Sequence, residues 1–205
     1  MIDPHVHARD WNQSPKETLA HALAVAQKIG LDAFFEMPNT DPPLTTREAV
    51  EKRMATADKA LRELKAEVFH GIYVGIVSDP KEEQLEDAIE LWDNYFPRVV
   101  GLKMFAGHST GNLGIVTKEE QNQVYKDLAD LGYKGVLVVH CEKEQLLKSE
   151  LWDSKQPLTH TKARPPESEV ESVKDQIHLA HTNNYAGTLH IAHVSVPETY
   201  QVIKN

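Results

Sequence analysis

Short apolar runs alternate with longer amphipathic stretches along nearly all of the 205 residues, and this alternation limits the folds open to the chain. Strand-like runs fall at 2–7, 31–37, 68–77, 99–105, 135–140 and 188–193. Helical patterns fill the intervals at 15–29, 46–66, 80–95, 118–131 and 167–183, and another begins at 197–203. Ser14 is placed to cap the first helix, with Pro15 in its first turn and Gly30 as its stop. Thr45 or Thr46 opens the second helix, and Gly132 closes the fourth. A βα unit repeated six times calls for a parallel sheet with helices outside it. The expected class is α/β, an incomplete (β/α)8 TIM-type barrel with about six βα units. No linker divides residues 1–205, so a single partial barrel domain is expected. The longest irregular stretch, 149–166, contains Pro157, Pro165 and Pro166 and reads as an active-site loop.

Composition removes several function classes. The formal charge is −9 and no Lys/Arg run stands out, which argues against a nucleic-acid partner. A single cysteine, Cys141, excludes an internal disulfide and fits a reducing, cytoplasmic setting. No apolar stretch is long enough to span a membrane, and the first residues do not have the pattern of a signal peptide.

The chemistry-bearing residues sit at the ends of the expected strands. His5 and His7 end the first; residues two apart in a strand share a face, and neutral imidazole binds zinc-like cations well. In a chain with 11 His, one such pair carries little by itself. Met37-Pro38-Asn39-Thr40 ends the second strand, Lys103 lies in the fourth, and His140 ends the fifth. His190 and His193 bracket the sixth. Strand C-termini converge at the mouth of a β/α barrel, so four strands would bring metal-ligand types together. Lys103 is costly in an apolar strand unless paired, and burial lowers its pKa. A neutral amine there could take up carbon dioxide as a bridging carbamate. A lysine paired with a carboxylate, or one snorkelling to the rim, fits the position equally well. His21, His70, His178 and His181 read as surface or packing residues, and Cys141 as core. His108, His160 and Arg164 lie in loops near the mouth without an assigned role.

The segments Asp3-Pro4-His5-Val6-His7-Ala8-Arg9-Asp10, Met37-Pro38-Asn39-Thr40-Asp41-Pro42-Pro43, Gly101-Leu102-Lys103-Met104-Phe105, Val139-His140-Cys141-Glu142 and His190-Ile191-Ala192-His193-Val194-Ser195 resemble the dihydroorotases of the amidohydrolase superfamily. They occur in that family's order and cover nearly the whole chain. HxHxRD together with MPNTxPP is the more specific part. The resemblance implies that His5 and His7 bind the more buried of two metal ions, usually zinc. It implies that a carboxylated Lys103 bridges the ions and that His140 and His193 bind the second, leaving His190 structural. Arg9 and Asn39 would hold the carboxylate of dihydroorotate, though Asn39 also reads as a turn residue before Pro42-Pro43. The implied reaction is attack of metal-bound hydroxide on the ring amide. Its reverse, closure of N-carbamoyl-L-aspartate, is the direction pyrimidine biosynthesis uses.

The chain also departs from the family. A closed barrel has eight strands, and the family's aspartate at the end of the eighth, a metal ligand and proton shuttle, has no counterpart here. No catalytic proton carrier is therefore assigned. The expectation is a truncated product with partial metal occupancy and little turnover alone, closed by a homo-oligomeric or complementing chain. Two alternatives stand beside the first reading. One is a hydantoinase- or allantoinase-like enzyme, and the other is a catalytically dead homologue serving as a structural partner.

Overall fold

The structure, a computed structural model, describes residues 1–78, 83–108 and 113–204. Two compact units divide it, Met1–Lys103 and Met104–Asn205, with the boundary inside a strand. The first unit carries β1 (Ile2–Val6), α1 (Leu19–Lys28), β2 (Ala33–Glu36), α2 (Arg47–Leu64), β3 (Phe69–Gly75), α3 (Glu83–Tyr95) and the start of β4 (Val99–Ala106). The second carries the end of β4, then α4 (Lys118–Asp130), β5 (Val136–Cys141), α5 (His160–Ala163), α6 (Pro166–Thr182), β6 (Thr188–Ile191) and α7 (Pro197–Lys204). The strands lie in chain order, β1-β2-β3-β4-β5-β6. β1 pairs with β2, β2 with β3, β3 with β4 and β5 with β6, all in parallel. The α/β reading of the sequence therefore holds.

Local chemistry explains most element ends. Thr46, in extended geometry, accepts from the Ala49 amide and opens α2. Thr117 and Glu120 form a reciprocal capping box at α4. Leu19, Leu23 and Ala26 of α1 pack with Ala8, Phe34, Ala57, Ala60 and Val68 to form the core of the first unit. β3, β4 and β5 are almost wholly buried, as parallel strands covered on both faces should be.

Several boundaries differ from the sequence reading. α1 begins at Leu19, capped by Thr18, and not at Pro15 behind Ser14. Arg9, Asp10 and Trp11 have φ of 50°, 70° and 50°, and the chain then makes a 3-10 turn at Trp11–Gln13. Asp10 accepts from the Trp11 amide and the Ser14 hydroxyl, so Ser14 is used inside that turn and cannot cap a helix. Stretch 149–166 is not irregular throughout, since it holds 3-10 turns at Ser149–Leu151 and Pro157–Thr159 followed by α5. β6 stops at Ile191, leaving His193 beyond the strand at φ 37°. The expected helix start at 80 and the loop centre at 109–112 lie outside the described residues.

One buried ionic group ties the first unit together. Glu36 and Arg53 are both fully buried. Arg53 Nε donates to Glu36 Oε2 at 2.9 Å, and its Nη2 pairs with Oε1. His70 Nε2 reaches the same Oε2 at 2.9 Å. The guanidinium also donates to the Arg9 carbonyl at 3.1 Å and to Asp10 Oδ2 at 3.4 Å. It lies 5.0 Å from the Trp11 ring centre. A single side chain from α2 thus fastens all three left-handed residues, a conformation that persists only where its surroundings enforce it. Burial works to raise the Glu36 carboxyl, but the His70 and Arg53 hydrogen bonds outweigh it and hold the pKa below its ordinary 4.5.

Removing one partner of a buried pair strands the other charge, so Arg53→Met is expected to cost about 3–5 kcal/mol in urea unfolding. Because the folded pKa of Glu36 is depressed, its contribution is complete above the ordinary value and fades as pH falls through the folded one. Stability measured from pH 7 down to pH 3 should therefore fall less steeply in Glu36→Gln, from a lower starting point.

Candidate functional site

In the first unit His5 and His7 meet at the end of β1. Their Nε2 atoms are 3.2 Å apart and the rings lie edge to face. The other nitrogen of His7, Nδ1, bonds Asn39 Oδ1 at 2.7 Å. An amide oxygen only accepts, so Nδ1 carries the proton and Nε2 presents its lone pair toward His5. Burial depresses the His7 pKa, with the Arg9 and Lys103 charges adding to it against the Asn39 bond, so the ring favours its neutral, ligating form. Lys103 is fully buried in β4, in register with Gly75. Arg9 Nη1 donates to the Asn39 carbonyl at 3.3 Å. The amide oxygen of Asn39 serves His7, and its NH2 group is the part that could donate to a substrate carboxylate.

In the second unit His140 Nδ1 and His193 Nε2 are 2.9 Å apart. His140 Nε2 bonds Glu142 Oε2 at 3.0 Å, and Arg164 pairs with that same oxygen. Burial raises the Glu142 carboxyl while His140 and Arg164 lower it further, leaving the pKa below its ordinary value. These groups line a cavity of about 550 Å³ together with His160, Glu169 and Ser195. Glu169 accepts from the Ser195 amide, the Ser195 hydroxyl and the Val196 amide at 2.6–3.2 Å. That grip fixes the segment just after His193, whose left-handed backbone needs such support. His190 stays within β6, opposite Val138 in register.

Among the described residues no group of three or more His, Cys, Asp or Glu gathers at one point. The imidazoles come instead as two pairs, one in each unit. Both pairs fit a divalent cation by the chemistry of their donors. Tetrahedral zinc with Zn–N bonds near 2.0–2.1 Å sets its ligand nitrogens about 3.3–3.4 Å apart. The His5–His7 pair, at 3.2 Å, stands close to that spacing, while the His140–His193 pair, at 2.9 Å, is at the distance of an N–H···N hydrogen bond and would have to open by a few tenths of an ångström. One ring in each pair, His7 or His140, has its outer nitrogen engaged by an oxygen, as metal-ligating histidines do.

No family model matches the chain. The dihydroorotase of Pyrococcus abyssi is 31% identical over 204 residues, which are 97% of this chain and 39% of that protein. The L-hydantoinase (dihydropyrimidinase) of Arthrobacter aurescens has TM-score 0.76 and 25% identity over 98% of this chain and 43% of its own. Over nearly its whole length the chain is similar to dihydroorotases. In fold it is also similar to the dihydroorotase of Campylobacter jejuni, with TM-score 0.68 and 17% identity over 99% of this chain and 50% of that one. It spans about two fifths of the length of the curated dihydroorotases that it matches.

Sequence reading passed over Glu142, Glu169 and the Glu36–Arg53 pair. Glu142 had a usable signal, since it stands two residues after His140, just past the end of β5, at the spacing that singled out His5 and His7. The others depend on contacts 17 or more residues apart and leave no local mark. Glu169→Ala should raise hydrogen exchange at Ser195 and Val196 on the order of tenfold or more, while β5 amides stay protected.

Proposed function

We propose that this chain carries the metal-binding and carboxylate-binding parts of a cyclic amidohydrolase that interconverts dihydroorotate and N-carbamoyl-L-aspartate. The observation that supports it is the form of the two imidazole pairs, inner nitrogens facing at 3.2 and 2.9 Å, in a chain similar to dihydroorotases. His5, His7 and Lys103 would hold one divalent ion of the zinc class, and His140 and His193 another. Such ions would supply Lewis-acid polarisation of the ring amide and a water acidified toward neutrality. In this reading Lys103, buried beside His7, gives up its ammonium proton to water, and the neutral amine would take up carbon dioxide with release of a second proton, leaving an anionic carbamate in place of a buried cation. Arg9 offers its guanidinium to the carboxylate of the ring, its Nη1 already steadied by the Asn39 carbonyl. Asn39 orients His7, and burial keeps that imidazole neutral.

The similarity in fold to a hydantoinase favours a second reading, a ring substrate without a carboxylate. Arg9 separates the two, because only an anionic substrate gains from it. Metal analysis of the chain, with binding of dihydroorotate compared against plain hydantoin, is the test. The expected result is bound zinc, tighter binding of dihydroorotate, and a loss of about 10- to 100-fold in affinity for dihydroorotate alone in Arg9→Met. Tighter binding of hydantoin with an indifferent Arg9 establishes the second reading. A chain that binds no zinc and neither ring overturns both.

A further inference from the structure

The cavity of the second unit contains an ionic arrangement beyond the histidine pair. Glu142 reaches His140 Nε2 at 3.0 Å. A carboxylate can only accept, so the proton sits on Nε2, and in the neutral ring Nδ1 then has only its lone pair. That lone pair points to His193 Nε2 at 2.9 Å. Arg164 has no acceptor and cannot serve His140 directly. Its Nη1 pairs with the same Glu142 oxygen, and its Nη2 donates to the His108 carbonyl at 3.4 Å. The Glu142 amide donates to the Ala106 carbonyl at 3.1 Å, so its backbone is fixed as well. Gly107, at φ 126°, leaves no room for a Cβ against the Glu142 carbonyl, so only glycine fits beside it.

We propose that Glu142, locked by Arg164, is the positioning carboxylate that sets the tautomer and ring orientation of His140, keeping Nδ1 turned toward His193 and ready for a divalent cation. This rests on the metal-binding reading of the His140–His193 pair. Without the carboxylate neither ring nitrogen is preferred as the proton carrier, and the imidazole is free to turn its Nδ1 away. The cation would then have to select a minor form, and its affinity would fall accordingly. The role of Arg164 is to restrain the carboxylate, so its removal should loosen the same property to a smaller extent.

The test uses the full, metal-free chain with 15N-labelled histidine at pH 8. Long-range proton–nitrogen spectra report which nitrogen of His140 carries the proton. Wild type is expected as the Nε2–H form, Glu142→Ala as a mixture, and Arg164→Met in between. Zinc titration followed on the His140 and His193 signals is expected to weaken about 10- to 100-fold in Glu142→Ala. Glu142→Gln keeps an oxygen that can accept from Nε2, so it should recover most of the tautomer preference. Arg164→Met provides the measurement if the alanine variant fails to fold. An unchanged Nε2–H form and unchanged zinc affinity in Glu142→Ala, or in Arg164→Met where the alanine variant does not fold, would overturn the proposal. Failure of wild type to bind zinc would sink the metal reading alone, because the tautomer spectra still show whether Glu142 positions the ring.

Discussion

The ion pair between Glu36 and Arg53 is the contact on which the first unit's functional end depends. Both groups are shut away from water, where an unpaired charge is costly, so each exists in its place only because the other does. The pair joins β2 to α2, and His70 brings β3 into the same cluster. From there the guanidinium reaches the Arg9 carbonyl and Asp10. The turn that carries Arg9 away from His7 is left-handed at three successive non-glycine residues, and it owes its shape to this reach. The group that would meet a substrate carboxylate is thus held by a side chain more than forty residues away in sequence.

The second unit solves a similar problem with different chemistry. His193 sits past the end of its strand in a left-handed conformation, and Glu169 steadies the residues that follow it through four hydrogen bonds. His140, in β5, is held by Glu142 just past the end of that strand, with Arg164 behind. In both units an imidazole presents one nitrogen to its partner while an oxygen engages the other. That shared pattern is stronger support for metal binding than any single distance. An N–H···N hydrogen bond accounts for either contact taken alone, so it is the recurrence of the pattern in both units that supports the metal reading.

Much of this was legible in the sequence. The βα alternation, the positions of His5, His7 and His140 at or just past strand ends, and the place of Lys103 within β4 all follow from local periodicity and from the side-chain alternation of a strand, whereas the burial of Lys103 and the position of His193 past the end of β6 do not. The first helix start was not legible. Ser14-Pro15 is a good local cap signal, but Asp10 engages the Ser14 hydroxyl and the Thr18 side chain caps the helix in its place. The partner of Arg53 could not be read either, since nothing local links positions 36 and 53. The bond from the Asn39 oxygen to His7, 32 residues earlier, is a further pairing that only the folded chain creates.

Anomalous diffraction at the zinc edge, from zinc-soaked crystals of the full chain, tests the central claim most directly. The account predicts peaks about 2.1 Å from the Nε2 atoms of both His5 and His7, and at the same distance from His140 Nδ1 and His193 Nε2. Zinc found only at exposed histidines such as His21 or His178, with both pairs left bare, would contradict it.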